Sequence, residues 1–225
     1  MNNTAILKEM GIQPWYEREQ EIKEKIAQSA TPIKKFNNSL YDDIINCQKC
    51  ELKDSRTNVV FGSGNLKADI LVVGEAPGAE EDQQAAPFVG RSGQLLTKML
   101  AAININRADI FVVNVLKCRP PENADPTESQ IKQCRNWLDA QIDLIQPKFI
   151  MAFGKVAGNH LLNANYTMAD MRQKIHTIKI KEQNIPMMVI YHPAYLLYQS
   201  SKKSEAWEDL KMAKQKINNI QDNSN

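Results

Sequence analysis

No stretch of this chain is apolar for the about 20 residues that a membrane-spanning helix needs. The opening MNNTAILKEM lacks the charged-then-apolar layout of a secretory signal. A large net charge is also missing: 28 Lys and Arg against 26 Asp and Glu leave +2. Any nucleic-acid surface must therefore be a local patch and not a global excess. Cysteine is scarce, with four in 225 residues. The absences together imply a soluble cytoplasmic protein without membrane contact, where disulfide pairing is disfavoured. No internal repeat is present. What remains is globular: 43% hydrophobic and 24% charged residues, suited to one α/β domain with short appendages.

The stretch from Ala68 to Gly93, ADILVVGEAPGAEEDQQAAPFVGRSG, organises the rest. Ile70, Leu71, Val72 and Val73 are consecutive and apolar, as in a parallel strand covered on both faces. Gly74 ends the strand, and Glu75-Ala76-Pro77-Gly78 turns the chain. An acidic cluster follows (Glu80, Glu81, Asp82), then Pro87-Phe88-Val89-Gly90-Arg91-Ser92-Gly93, with Ser92 expected to start a helix through Met99. Ligands of open α/β sheets bind beyond the carboxyl ends of the strands, where Glu75 and Phe88 would lie. A capped turn plus a core phenylalanine accounts for the spacing equally well.

Further strands are expected over 110–115, 148–153, 175–180 and 186–191, the last two as a pair, with a short one at 59–61. Asp125-Pro126-Thr127-Glu128 predicts a helix start with Asp125 as N-cap, running to about Ile145. Other helices are expected from Gly154 to Leu162 and from Ser204 to Ile217. Strands separated by helices imply a mostly parallel sheet between helical layers. The boundaries are a 1–35 extension, a 36–218 domain and a polar, disordered 219–225 tail. Within the extension, Trp15 fits either packing on the extension's own helix or main domain, or anchoring in a partner's groove.

Cys47 and Cys50 form a C-x2-C pair; Cys118 and Cys134 are far away in sequence. Four thiolates can hold a tetrahedral zinc or an iron–sulfur cluster, and ligand type alone does not separate the two. Lys49, Lys117, Arg119 and Arg135 flank three of them, and cations favour thiolates. Buried free cysteine is the plain alternative.

Five features stand in order: Cys47-x2-Cys50, Gly74-Glu75-Ala76-Pro77-Gly78, Pro87 to Gly93, Asn114 to Pro121 (NVLKCRPP) and His192-Pro193-Ala194-Tyr195-Leu196-Leu197. Together they resemble the family 4 uracil-DNA glycosylases, over about Tyr41 to Leu210. The resemblance implies a three-layer α/β/α sandwich with a central four-stranded parallel sheet. It makes Cys47, Cys50, Cys118 and Cys134 ligands of a 4Fe–4S cluster, and it implies a monomer acting on single- or double-stranded uracil-containing DNA. Separately, Leu7 to Trp15 (LKEMGIQPW) resembles the N-terminal peptide of the psi subunit of bacterial DNA polymerase III, which implies a replication-machinery partner through residues 4–16.

The family pattern also implies residue roles. A glycosylase flips its base out of the stack and reads the hydrogen-bonding edge. Phe88 would stack on uracil and Asn114 would pair with N3–H and O4. Glu81 would crowd the C5 edge against thymine, and His192 would stabilise the departing anion at O2. Glu75 would serve the sugar cation or the water; family 1 enzymes carry an aspartate at the position of Ala76, so the water's partner is open. Leu196 or Leu197 would wedge into the duplex, with Arg91 and Arg119 on phosphates, Lys202 and Lys203 being weaker candidates. A covalent uracil-trapping relative carries a histidine-bearing basic loop; residues 119–130 contain no histidine, which argues for ordinary turnover. The rival class is a non-catalytic, metal-stapled module binding nucleic acid or a replication protein, which would not need Glu75, Phe88, Asn114 and His192 together.

Overall fold

A computed structural model of the chain describes residues 39–222. The 1–35 extension, with Trp15 and the peptide at 4–16, lies outside the described residues. The chain opens with helices α1 (Ser39–Ile45) and α2 (Leu52–Ser55). Strands β1 (Ser63–Gly64) and β2 (Ile70–Gly74) lead to α3 (Ala79–Gln84) and α4 (Arg91–Ala102). Strand β3 (Phe111–Asn114), α5 (Glu128–Ile145), β4 (Phe149–Phe153), α6 (Lys155–Leu162) and α7 (Met168–Met171) follow. The chain then forms the pair β5 (His176–Ile180) and β6 (Gln183–Ile190), α8 (Pro193–Tyr198) and α9 (Lys203–Asp222).

The sheet has six strands in the order β1-β3-β2-β4-β6-β5, a correction to the expected four. Its inner strands β3, β2, β4 and β6 are parallel, while β1 and β5 each run antiparallel on an edge. The short edge strand is Ser63–Gly64, not the expected 59–61, whose apolar side chains are buried. Buried strands keep period 2: Leu71 and Val73 join one core, Ile70 and Val72 the other. Leu138 and Ile142 of α5 cover the first face; Leu96 and Leu100 of α4 and Leu210 and Ala213 of α9 cover the second. Helices thus flank the sheet on both sides.

Two helix starts differ from expectation because local hydrogen bonds compete. Thr127, not Asp125, caps α5: its hydroxyl accepts from Gln130 N at 3.2 Å, and Gln130 Oε1 accepts from Thr127 N at 3.0 Å. Such a cap contributes about 1 kcal/mol, and it leaves Asp125 outside the helix. Gly90 caps α4, so Ser92 sits inside its first turn. At the other end, α9 continues to Asp222, through residues expected to form a tail. No helix among the described residues is long and apolar enough to cross a membrane.

Candidate active site

Chain order explains where a site can form. From β2 the chain crosses to β3 on one side, then returns past β2 to β4 on the other. A crevice opens at such a reversal, beyond the carboxyl ends of the strands. There the structure has a cavity of about 640 Å³, lined by residues that follow each inner strand: Glu75 after β2, Asn114 at the end of β3, Gly154 after β4 and His192 after β6. Phe88 and Glu81 join them, so all five sequence-predicted pocket residues line one space.

The Phe88 ring is held from several directions. Its backbone φ of +54° lies in the left-handed region, which costs a non-glycine residue about 1 kcal/mol or more. Two contacts hold that conformation. Buried Arg107 donates from Nη2 to Pro87 O at 2.6 Å, and Glu81 Oε1 accepts from Val89 N and Gly90 N, each at 2.9 Å. The other oxygen of Glu81 accepts from Gly78 N at 3.2 Å. Its carboxylate therefore staples the Gly74–Gly78 turn to the Phe88 loop, a task its place in an acidic run gave no hint of. A glycine is required at 74, since a Cβ there would come within 2.5 Å of both Asn114 Oδ1 and Phe88 Cζ. Asn114 is buried, and its main-chain carbonyl accepts from the buried Lys117 ammonium.

His192 is the N-cap of α8, and its Nδ1 accepts from Ala194 N at 3.2 Å. An imidazole accepting at Nδ1 carries its proton on Nε2. The ring borders the cavity and is half-buried, and burial lowers its pKa to about 4. It is therefore neutral near pH 7, with an Nε2–H donor. The Phe88 and His192 rings lie 5.6 Å apart at 35°. Glu75 has its pKa raised, first by burial and then by the charge of Asp125. Asp125 lines the same cavity; read as an N-cap, it had no site role in the sequence.

The four cysteines form no disulfide. Burial pushes Cys118 up to about 11; Arg56 opposes the shift, while Cys134 and Cys50 add to it. Cys134 is raised by burial, with Lys117 opposing and Cys50 and Cys47 adding. These mutual influences put the four sulfurs in one neighbourhood. Arg56 Nη1 donates to Cys118 Sγ at 3.0 Å and Trp137 Nε1 to Cys47 Sγ at 3.2 Å. Among the described residues, no three or more His, Cys, Asp or Glu side chains form a site for a metal ion.

Of the residues expected on DNA, Arg91 is exposed in the first turn of α4. Arg119 is half-buried and donates from Nε to Asn123 Oδ1 at 2.8 Å. Leu196 is a correction: it is 1% exposed and packs in the core beneath α8, so it presents no surface to a duplex. Leu197 beside it is 37% exposed. Lys202 is paired with Glu205, and Lys203 is exposed. Sequence reasoning missed Tyr191 and Tyr195, which also line the cavity; their i, i+4 spacing across His192 was the available signal.

Comparison with known proteins agrees with this geometry. The family model of the Uracil DNA glycosylase superfamily matches residues 61–211, a span that holds the inner strands and the whole cavity lining. A type-4 uracil-DNA glycosylase from Archaeoglobus fulgidus is 40% identical over 173 residues, covering 75% of this chain and 87% of the relative. One from Sulfurisphaera tokodaii is 42% identical over 175 residues, 76% of this chain and 80% of the relative. A third, from Thermotoga maritima, is 39% identical over 176 residues, 75% and 88%. Matched across the sheet and every loop that builds the cavity, the chain belongs to the type-4 uracil-DNA glycosylases of the uracil-DNA glycosylase superfamily.

Proposed function

We propose that this protein excises uracil from DNA, breaking the bond between the sugar C1′ and uracil N1 to leave an abasic site. The observation that carries this reading is the single cavity shared by His192, Phe88 and Asn114, with His192 Nδ1 occupied by the Ala194 amide so that Nε2 is left as the donor. A flipped uracil stacks on Phe88, and Asn114 meets N3–H and O4 through its acceptor and donor. When the glycosidic bond breaks, its electron pair leaves on the base. His192 donates to O2 and stabilises that anion without giving up its proton. Positive charge grows on the sugar, and the carboxylates of Glu75 and Asp125 face it. A water adds to C1′, and the proton it loses passes through solvent to the uracil anion, so that the products are the abasic sugar and free uracil. Glu81, wired to three backbone amides, stands as a rigid wall towards C5. Arg91, Leu197 and the remaining donors of Arg119 meet the DNA backbone and the vacated stack.

Release of free uracil from a cluster-replete preparation, followed across pH, tests the reading. Glu75 must be ionised to oppose the sugar cation. Because its pKa is raised, the rate should fall at a higher pH than an ordinary carboxylate would give, as acid protonates it. His192 titrates only near about 4, so this limb is not its own. Glu75→Gln should lower the plateau and remove the limb. No uracil release at any pH would hand the protein to the binding-module reading. An unchanged acid limb in the variant would remove Glu75 from the chemistry.

Cys47, Cys50, Cys118 and Cys134 fit the 4Fe–4S cluster of the family. All four donors are sulfur, which suits iron. Their mutual electrostatic influence places them near one another, as the ligands of one cluster would have to be. A cluster bound there would cross-link the segment between α1 and α2, the loop after β3 and α5, and would do no chemistry on uracil. Anaerobically purified protein should contain iron and absorb broadly at about 400 nm; stoichiometric zinc without iron would overturn this.

A further inference from the structure

An aromatic column leads out of the cavity from a buried ionic base. Arg172 donates to Asp209 from Nε at 2.6 Å and from Nη2 at 3.2 Å, with Asp209 fully buried. Its guanidinium also bonds Glu205 and lies over the Tyr191 ring, 4.2 Å from the centroid. The Tyr191 hydroxyl is 3.2 Å from Glu205 Oε2, so the ring is held at face and edge. Tyr195 stacks on Tyr191 with centroids 5.2 Å apart and planes at 26°. Tyr191 is thus in contact with both the cation and Tyr195. Tyr195 is itself 41% exposed and lines the cavity that holds His192. Tyr198, one turn further along α8, is 86% exposed.

A ring stacked on Tyr191, 41% exposed and on the lining of a base-sized cavity, suits a flat aromatic partner. Flipping a nucleotide creates such a partner, because its neighbour loses a stacking surface. Stacking on an aromatic side chain replaces that surface whatever the base. We propose that Tyr195 is the stacking platform for the base adjacent to the flipped uridine, with Tyr191 and Arg172 holding it in place. The inference rests on the glycosylase reading. It identifies Tyr195, beside the exposed Leu197, as the aromatic surface that fills the gap.

The test uses the full chain and a single-stranded oligonucleotide with 2-aminopurine next to 2′-fluoro-deoxyuridine, whose glycosidic bond resists cleavage. Wild-type protein and Tyr195→Phe should quench the 2-aminopurine on binding. Tyr195→Ala should leave it bright and weaken binding by about 10-fold or more. The slope of affinity against salt should stay unchanged, because phosphate contacts are intact. On a cleavable substrate the loss should fall mainly on KM, with a smaller fall in kcat. Equal quenching by Tyr195→Ala, unchanged affinity, or a loss confined to kcat would overturn the proposal. Tyr195→Phe behaving like Tyr195→Ala would do the same, since the ring alone is invoked. The binding readout needs no turnover, so a wild-type protein that quenches but releases no uracil would refute the glycosylase reading separately.

Discussion

His192→Ala is expected to slow uracil release by about 10²–10³-fold, the usual loss for one anion-stabilising donor, while DNA affinity changes little. The effect should be large because the donor is preorganised. The amide of Ala194 occupies Nδ1 and leaves the proton on Nε2, while burial keeps the ring neutral. Nothing has to reorganise when charge develops on the base. A neutral donor is also the appropriate one: an imidazolium would transfer its proton or be neutralised on burial. On the proposed reading, substrate binding would draw on Phe88, Asn114 and phosphate contacts, which the substitution leaves in place. Single-turnover rates and equilibrium binding to an uncleavable substrate separate the two quantities. A variant cutting at the wild-type rate would remove His192 from the mechanism.

Asn114→Asp should lose uracil activity by about 10³-fold or more, since a site built to pair one hydrogen-bonding edge strongly rejects a mismatched one. Asn114 is 3% exposed at the end of β3. A carboxylate there would face uracil O4 and repel it, with little water to screen the charge. A protonated or bridged carboxyl could accept from the cytosine amino group, so a trace of cytosine release is the expected accompaniment. Uracil and cytosine release from matched oligonucleotides measures both. Wild-type uracil release by this variant would show that Asn114 does not read the base, and the Phe88 stack would then have to account for recognition alone.

The inner sheet was legible because buried parallel strands are nearly continuous apolar runs: ILVVG, FVVN and FIMAF could scarcely be anything else. The edge strands were not, since Ser63–Gly64 has no hydrophobic signature and exists only through its pairing with β3. Among the candidate site residues, Glu75, Asn114 and His192 were legible as motif positions at strand ends and Phe88 as one in the loop before α4, and the cavity brings the four together. The function of Glu81 was only half visible. Its place on the lining agrees with the motif, but its bonds to Gly78, Val89 and Gly90 join segments that no local pattern links.

The amino-acid order by itself determined the strand–turn–helix units and the line of the parallel strands, because periodicity and turn residues are local properties. Tertiary structure alone decided the rest. Thr127 took the cap and released Asp125 to the cavity. Of two adjacent leucines, one turned into the core and the other outward. Folding also set the proton on His192 and assembled Arg172, Tyr191 and Tyr195 into a column. Each of these outcomes depends on burial or on a hydrogen bond with a competing partner, and such competition is resolved only when distant segments meet.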